Sequence, residues 1–202
     1  MFKEKAMRAS FASYEPFISG EIMDLHYTRH YLGYLNNLNK ALEKYPEFFN
    51  LSVNDILQKI NSVPDDIKTA IRNNGGGVSN HEIFWDILDT KETTIHDGQL
   101  KRDIISTFSS WDNFREWFEK VVASSFGAGW VWLVLSKDKK LKIIFCQNQD
   151  SPYMSGDLPI FGIDIWEHAY YLQYKNGKMA YFKEVWKILD WKVIENRYLS
   201  FI

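Results

Sequence analysis

An α+β fold is predicted for this chain by three observations. The first half carries apolar residues at helical spacing, the second half mixes helical patterns with three short strand-like runs, and the helices come first. Helices followed by strands with helices is the order of a segregated α+β protein rather than of an alternating parallel-sheet fold.

The elements follow in order. From about Ile18 to Leu42, one stripe holds Ile18, Ile22, Leu25, Leu32, Leu35 and Leu42, and a second holds Tyr27, Tyr31, Tyr34 and Leu38. A helix apolar on two faces is packed on two sides. Ser52-Val-Asn-Asp55 reads as a capping box opening a short helix through Ile60. Ser62 and Pro64 mark the start of another. The run Asn73-Asn-Gly-Gly-Gly77 is strong punctuation and predicts a break, after which HEIFWDIL from His81 resumes a helical pattern. A seam is expected near residue 90, in Asp89-Thr-Lys-Glu-Thr-Thr, dividing the chain into 1–90 and 91–202. Two helical patterns follow, Gly98 to Phe108 and Trp111 to Phe126. Trp130-Val-Trp-Leu-Val-Leu135, the turn Lys137-Asp-Lys-Lys140 and the alternating Leu141 to Cys146 give a hairpin signal. Pro159-Ile-Phe-Gly-Ile-Asp164 is a third strand, and helices rich in Tyr and Trp end the chain.

Composition narrows the function classes. The 202 residues hold 24 Lys plus Arg against 26 Asp plus Glu, a net charge of -2, with 46% hydrophobic and 25% charged residues. That balance excludes a disordered tail or a collagen-like repeat. It also argues against nucleic-acid binding, which needs a basic face. The aromatic share of 16% implies a stiff interior able to hold a few polar side chains in a dry place. The single cysteine, Cys146, forbids an internal disulfide and a Cys-rich zinc site, and is read as a buried, inert thiol. MFKEKAMRAS has no apolar h-region, and no segment approaches the ~20 apolar residues that cross a bilayer. No membrane association is expected, and the cytoplasm is the default.

The chain has five histidines. His96 lies among polar turn formers and reads as a surface residue, whereas His26, His30, His81 and His168 lie among aromatics. His26, His30 and Tyr34 are spaced four apart on one helix face, and Asp164 and His168, also four apart, flank Trp166. One buried histidine is ordinarily a hydrogen-bonded core residue. Four in apolar surroundings, with a carboxylate that burial makes costly, leave a metal site and a core polar set equally open. Imidazole and carboxylate without thiolate suit manganese, iron or zinc and disfavour copper(I). His26-Tyr-Thr-Arg-His30 has zincin spacing, but Tyr27 stands where the glutamate base belongs. His81-Glu82 has that glutamate, but Trp85 replaces the second histidine, so peptide hydrolysis is disfavoured.

Taken together, ISGEIMDLHYTRH with Tyr34, then NHEIFW, FGAGWVWLVL, NQDSP and DIWEHAYYLQY resemble the iron/manganese superoxide dismutase family, in the family's order over about residues 15 to 200. The resemblance implies an N-terminal helical hairpin followed by an α/β domain with a three-stranded antiparallel sheet, and a helix running through Gly75 to Gly77. It implies metal ligation by His26, His81, Asp164 and His168, with Tyr34, His30 and Gln149 acting on protons and bound solvent near the metal. Trp130 belongs to an aromatic wall, and Lys178 takes the place of a channel arginine. Glu167 and Tyr171 are implied to reach the partner's site in a homodimer, possibly within a tetramer. Iron-type members place a glutamine where Gly77 stands, and manganese-type members supply it from the turn holding Gln149, so the sequence looks manganese-type, with iron possible. Superoxide is the implied substrate. The competing readings are a metal-binding or storage protein without turnover and a mononuclear iron oxygenase; four protein ligands plus solvent leave too few open positions for the latter.

Overall fold

The computed structural model describes residues 1–202. Ser19 caps the first long helix, its side chain accepting from the Ile22 amide. This helix, α1 (20–42), is α-helical over Gly20–Leu25, widens into a π-helix over His26–Tyr31 and returns to α over Leu32–Leu42. In the widened turn the Leu32 amide bonds to Tyr27 O, five residues back. Both faces carry buried residues, among them Ile22, Tyr27, Tyr31, Leu35, Leu38 and Leu42.

A short helix, α2 (Val53–Gln58), opens on the capping box between Ser52 and Asp55 and ends before Ile60, in a 3-10 turn over Ile60–Ser62. The second long helix, α3 (65–87), begins after Pro64 with Asp65 and Asp66 in its first turn, where acidic groups complement the exposed amides. It is π-helical over Ile71–Gly75 and α-helical over Gly76–Ile87. The break predicted at Asn73–Gly77 is therefore absent. The glycines serve close approach: a Cβ at Gly76 would lie 1.9 Å from Gln149 O, and one at Gly77 would lie 2.5 Å from the Tyr34 ring. Two helix-interior glycines cost roughly 1 kcal/mol each relative to alanine, offset by the packing they permit. α1 and α3 form the helical hairpin.

The second half opens with α4 (Gln99–Phe108) and α5 (Trp111–Ser124), which ends two residues before the predicted Phe126. Three antiparallel strands follow, β1 (Gly129–Leu135), β2 (Leu141–Gln147) and β3 (Leu158–Asp164), in the order β2-β1-β3. The central strand β1 is buried along its whole length, which explains its unbroken apolar run. Between β1 and β3 the register slips at Leu133/Val134, where Pro159 faces Val134 and Ile160 is the extra residue. Proline has no amide to give the ladder, so a bulge is a natural place for it. Beyond the slip, the register sets Trp130 opposite Asp164 on one side and Cys146 on the other. A one-turn α6 (Tyr171–Tyr174), then α7 (Lys178–Lys187) and α8 (Trp191–Leu199), complete the fold.

Aromatic packing joins these layers: Phe118 of α5 stacks on Phe161 of β3 at 5.2 Å and on Phe182 of α7 at 6.0 Å. The halves are laced by Asp89 N to Ile188 O and Asp190 N to Ile87 O, each 2.7 Å. The N-terminal segment lies across them. The Lys5 amide donates to Tyr31 Oη at 2.7 Å, Lys5 Nζ pairs with Asp86 at 2.6 Å and Arg8 with Asp190 at 2.8 Å. No helix is long and apolar enough to cross a membrane.

Candidate metal centre

Each half contributes two side chains to one buried cluster. His26 comes from the π turn of α1, His81 from α3, Asp164 from the end of β3 and His168 from the 3-10 turn Glu167–Ala169. One ligand atom from each lies within 4.8 Å of the other three. Asp164 Oδ2 stands 3.1 Å from His26 Nε2, 3.4 Å from His168 Nε2 and 3.8 Å from His81 Nε2. Its other oxygen, Oδ1, accepts from the Trp166 amide at 2.8 Å, which fixes the carboxylate plane. His81 Nδ1 donates to Gly77 O at 2.6 Å, so its Nε2 carries the lone pair, and that atom is buried with no partner.

This donor set fits a metal ion. Burial, outweighing the pull of Asp164, lowers the His26 imidazole's affinity for a proton, and burial with the neighbouring His26 lowers that of His81 further. Burial alone would raise Asp164, but His168 and His26 together hold its carboxyl below the usual range, in the ionised form. Neutral imidazoles beside an anionic carboxylate are the protonation states that coordination requires. A hydrogen-bonded core set would not leave His81 Nε2 buried without a partner.

Gln149 is buried beside the cluster, in the turn after β2. Its Oε1 accepts from Trp130 Nε1 at 3.0 Å, and its Nε2 donates to Tyr34 Oη at 3.3 Å. Burial, reinforced by the Asp164 charge, raises the Tyr34 phenol and keeps it protonated. His30 is half-buried and stacks on His168 at 3.9 Å, and burial followed by the neighbouring imidazoles His168 and His26 lowers it to about 4. Trp85, Phe84 and Trp130 wall the cluster, with Trp85 5.0 Å from His26 and Trp130 5.1 Å from His81.

A cleft of about 540 Å³ reaches His168 from solvent between Trp166, Glu167, Tyr170 and Lys178. Burial lowers the Lys178 amine, which donates to Ser125 O at 2.8 Å. Glu167 and Tyr171 are exposed, and His96 is exposed far along the chain. Asn80 and Arg72 escaped the sequence reading, although both touch the turn that holds Gln149. The signal for Asn80 was its place one residue before His81.

Comparison with known proteins agrees with this geometry. The alpha-hairpin domain of iron/manganese superoxide dismutases matches residues 6–89, and the C-terminal domain of the same enzymes matches residues 96–197. The superoxide dismutase [Mn] of Escherichia coli (strain K12) is 44% identical over 192 residues, 92% of either chain. That of Listeria monocytogenes is 41% identical over 184 residues, 91% of either chain. The superoxide dismutase [Mn] 1 of Leptolyngbya boryana is 42% identical over 190 residues, covering 93% of this chain and 77% of its own. With both domains matched in order along most of the chain, and three imidazoles and a carboxylate gathered from the two halves, the chain belongs to the iron/manganese superoxide dismutases.

Proposed function

We propose that this superoxide dismutase works with one manganese ion per subunit, held by His26, His81, Asp164 and His168. The observation that carries the assignment is the convergence of their four ligand atoms within 4.8 Å, with the buried His81 Nε2 free to bind. A bound manganese supplies the one-electron exchange by which one superoxide is oxidised to dioxygen and the next is reduced to peroxide. The proposed division at residue 90 puts two ligands on each side, so the folding of both halves assembles the site. The relatives and both matched domains speak for dismutation over storage or oxygenase chemistry.

Each surrounding residue has a task that its contacts support. Asp164 contributes a negative charge that favours the more highly charged metal. Trp130 fixes the Gln149 amide so that its NH2 end faces Tyr34 and the open side of the cluster. From there Gln149 orients solvent, and the Tyr34 hydroxyl holds a proton for the departing peroxide. His30, half-buried and stacked on His168, is placed to exchange protons with solvent. Lys178 offers the superoxide anion a positive charge at the cleft. Manganese over iron is supported by Gly77, whose open space the Tyr34 ring fills, while Gln149 supplies the amide.

A homodimer is proposed because Phe126, Tyr171 and Leu172 are 94%, 48% and 50% exposed beside the cleft, an apolar rim suited to a partner. Glu167 and Tyr171 would then complete the partner's site. A cytoplasmic location accords with the single unpaired Cys146. The test is removal of metal by chelation, reloading with manganese or iron separately, and assay of superoxide disproportionation. Activity restored by manganese supports the assignment, and activity with iron alone overturns it.

A further inference from the structure

We infer that Arg72 and Asp150 are positioning residues, a two-pronged clamp that holds the turn bearing Gln149 against α3 and so sets the direction of the Gln149 amide. The inference rests on the role proposed above for Gln149 and assigns what keeps it in place.

The turn after β2 is a short arch with Asn148 in the left-handed region, at φ 54°. On its sheet side it is fastened by backbone and indole bonds, Asn148 N to Ala128 O at 2.9 Å and Trp166 Nε1 to Asn148 O at 3.1 Å. On its helix side it meets Arg72, Gly76 and Asn80, spaced four apart along α3. Residues four apart share a helix face, so these form one stripe. At the middle of the stripe Gln149 O sits in the space left by the missing side chain of Gly76. At the C-terminal end Asn80 Nδ2 lies 3.2 Å from Gln149 O and 3.4 Å from Asp150 O. At the N-terminal end Arg72 Nε and Nη2 donate to the two oxygens of Asp150 at 2.6 and 2.5 Å.

Only the last of these contacts is a fork that fixes direction as well as distance. A guanidinium bonded through two nitrogens to a carboxylate holds both planes together, which a single lysine-type contact does not. Asp150 is the neighbour of Gln149, so a rotation of the Asp150 backbone turns the Gln149 side chain relative to Trp130 and Tyr34. The pair bridges 78 residues of sequence and both halves of the fold. Its side chains are 57% and 29% exposed. An exposed pair adds little to global stability, so its removal tests position more than folding.

The readout is the indole N–H of Trp130, which reports the Gln149 Oε1 it donates to. It is recorded by proton-nitrogen NMR on protein loaded with zinc, which is diamagnetic and redox-silent, and assigned by its loss in Trp130→Phe. Arg72→Gln and Asp150→Asn should each shift this resonance and speed its exchange with solvent about five-fold, while Lys68→Gln, which breaks the surface pair with Asp65 on the same helix, should leave it in place. Manganese-loaded Arg72→Gln should lose about five-fold in kcat with KM unchanged, and Arg72→Lys should recover part of it. If Arg72→Gln does not fold, Asp150→Asn gives the same readout. An unmoved indole resonance in Asp150→Asn, or an equal shift in Lys68→Gln, overturns the clamp. Unchanged activity in Gln149→Ala would instead sink the role of Gln149, leaving the NMR result to judge the clamp by itself.

Discussion

Trp130 Nε1 donates to Gln149 Oε1 at 3.0 Å, and with Asn80 Nδ2 at 3.5 Å from the same oxygen this contact sets the NH2 end of a chemically two-faced amide toward Tyr34. An indole is a donor only, so it accepts no NH2 group in that place. The register of β1 against β3 sets Trp130 opposite Asp164.

Trp130→Phe keeps an aromatic ring in the wall and removes the donor. One lost hydrogen bond is worth about 1 kcal/mol, so the Gln149 amide then samples both orientations and kcat falls about five-fold. Stopped-flow decay of superoxide measures this directly. A kcat equal to that of the parent would show that the amide is oriented by other contacts.

Gly77→Ala tests a contact of shape. Its Cβ would meet the Tyr34 ring at 2.5 Å, well inside van der Waals contact, so ring or helix must move. Overpacking of this sort costs about 1–3 kcal/mol, more than the helix propensity that alanine gains. Urea denaturation of the metal-loaded pair should show the loss, and a stabilised variant would contradict the packing described.

The long apolar patterns, the hairpin and the residue types that gather in the buried cluster were legible in the sequence because periodicity and chemistry are local. Three features were not. The π turns in α1 and α3 leave no spacing signature: the first stretch reads as ordinary helix, and the second runs into the break predicted at Asn73–Gly77. Gly76 and Gly77 were misleading as punctuation, because they answer to Gln149 and Tyr34, residues more than 70 and 40 positions distant in sequence. Arg72 and Asp150 look like two unremarkable surface charges until folding brings α3 against the turn after β2. The resemblance, carried by blocks such as DIWEHAYYLQY, went beyond the residues' own chemistry, which left a metal site and a core polar set equally open.

Removing the metal should lower stability by mass action. A ligand at a hundred-fold excess over its Kd stabilises by about 2.7 kcal/mol, about 8 °C in Tm for a chain of this size. Differential scanning calorimetry of chelated and manganese-loaded protein should show that gap. His81→Ala, which deletes the orphaned Nε2, should narrow it strongly; a gap of the same size in that variant would place the metal elsewhere.

Cys146 should be a slow nucleophile. Burial, with the charges of Asp150 and Asp157, pushes its thiol up to about 12. The thiolate is the reactive form, so alkylation by iodoacetamide should keep rising about ten-fold per pH unit beyond pH 9, where a free cysteine with its pKa near 8.5 is already levelling off. A plateau in the rate between pH 8 and 9 would mean an exposed, ordinary thiol.

Lys178 supplies a positive charge at the cleft. The chain as a whole is at -2 and repels an anion weakly, so attraction toward His168 must come from a cation at the cleft. Burial lowers the Lys178 amine, and its bond to Ser125 O holds it at the wall of that cleft. A charge so placed acts on encounter and leaves the steps after binding alone. Lys178→Glu should therefore lower kcat/KM about ten-fold at low salt, leave kcat nearly unchanged, and turn a rate that falls with ionic strength into one that rises. Lys178→Met, similar in length and uncharged, should lie between them and lose most of its salt dependence. A Lys178→Glu enzyme with the parent's kcat/KM at low salt would assign the steering to some other cation.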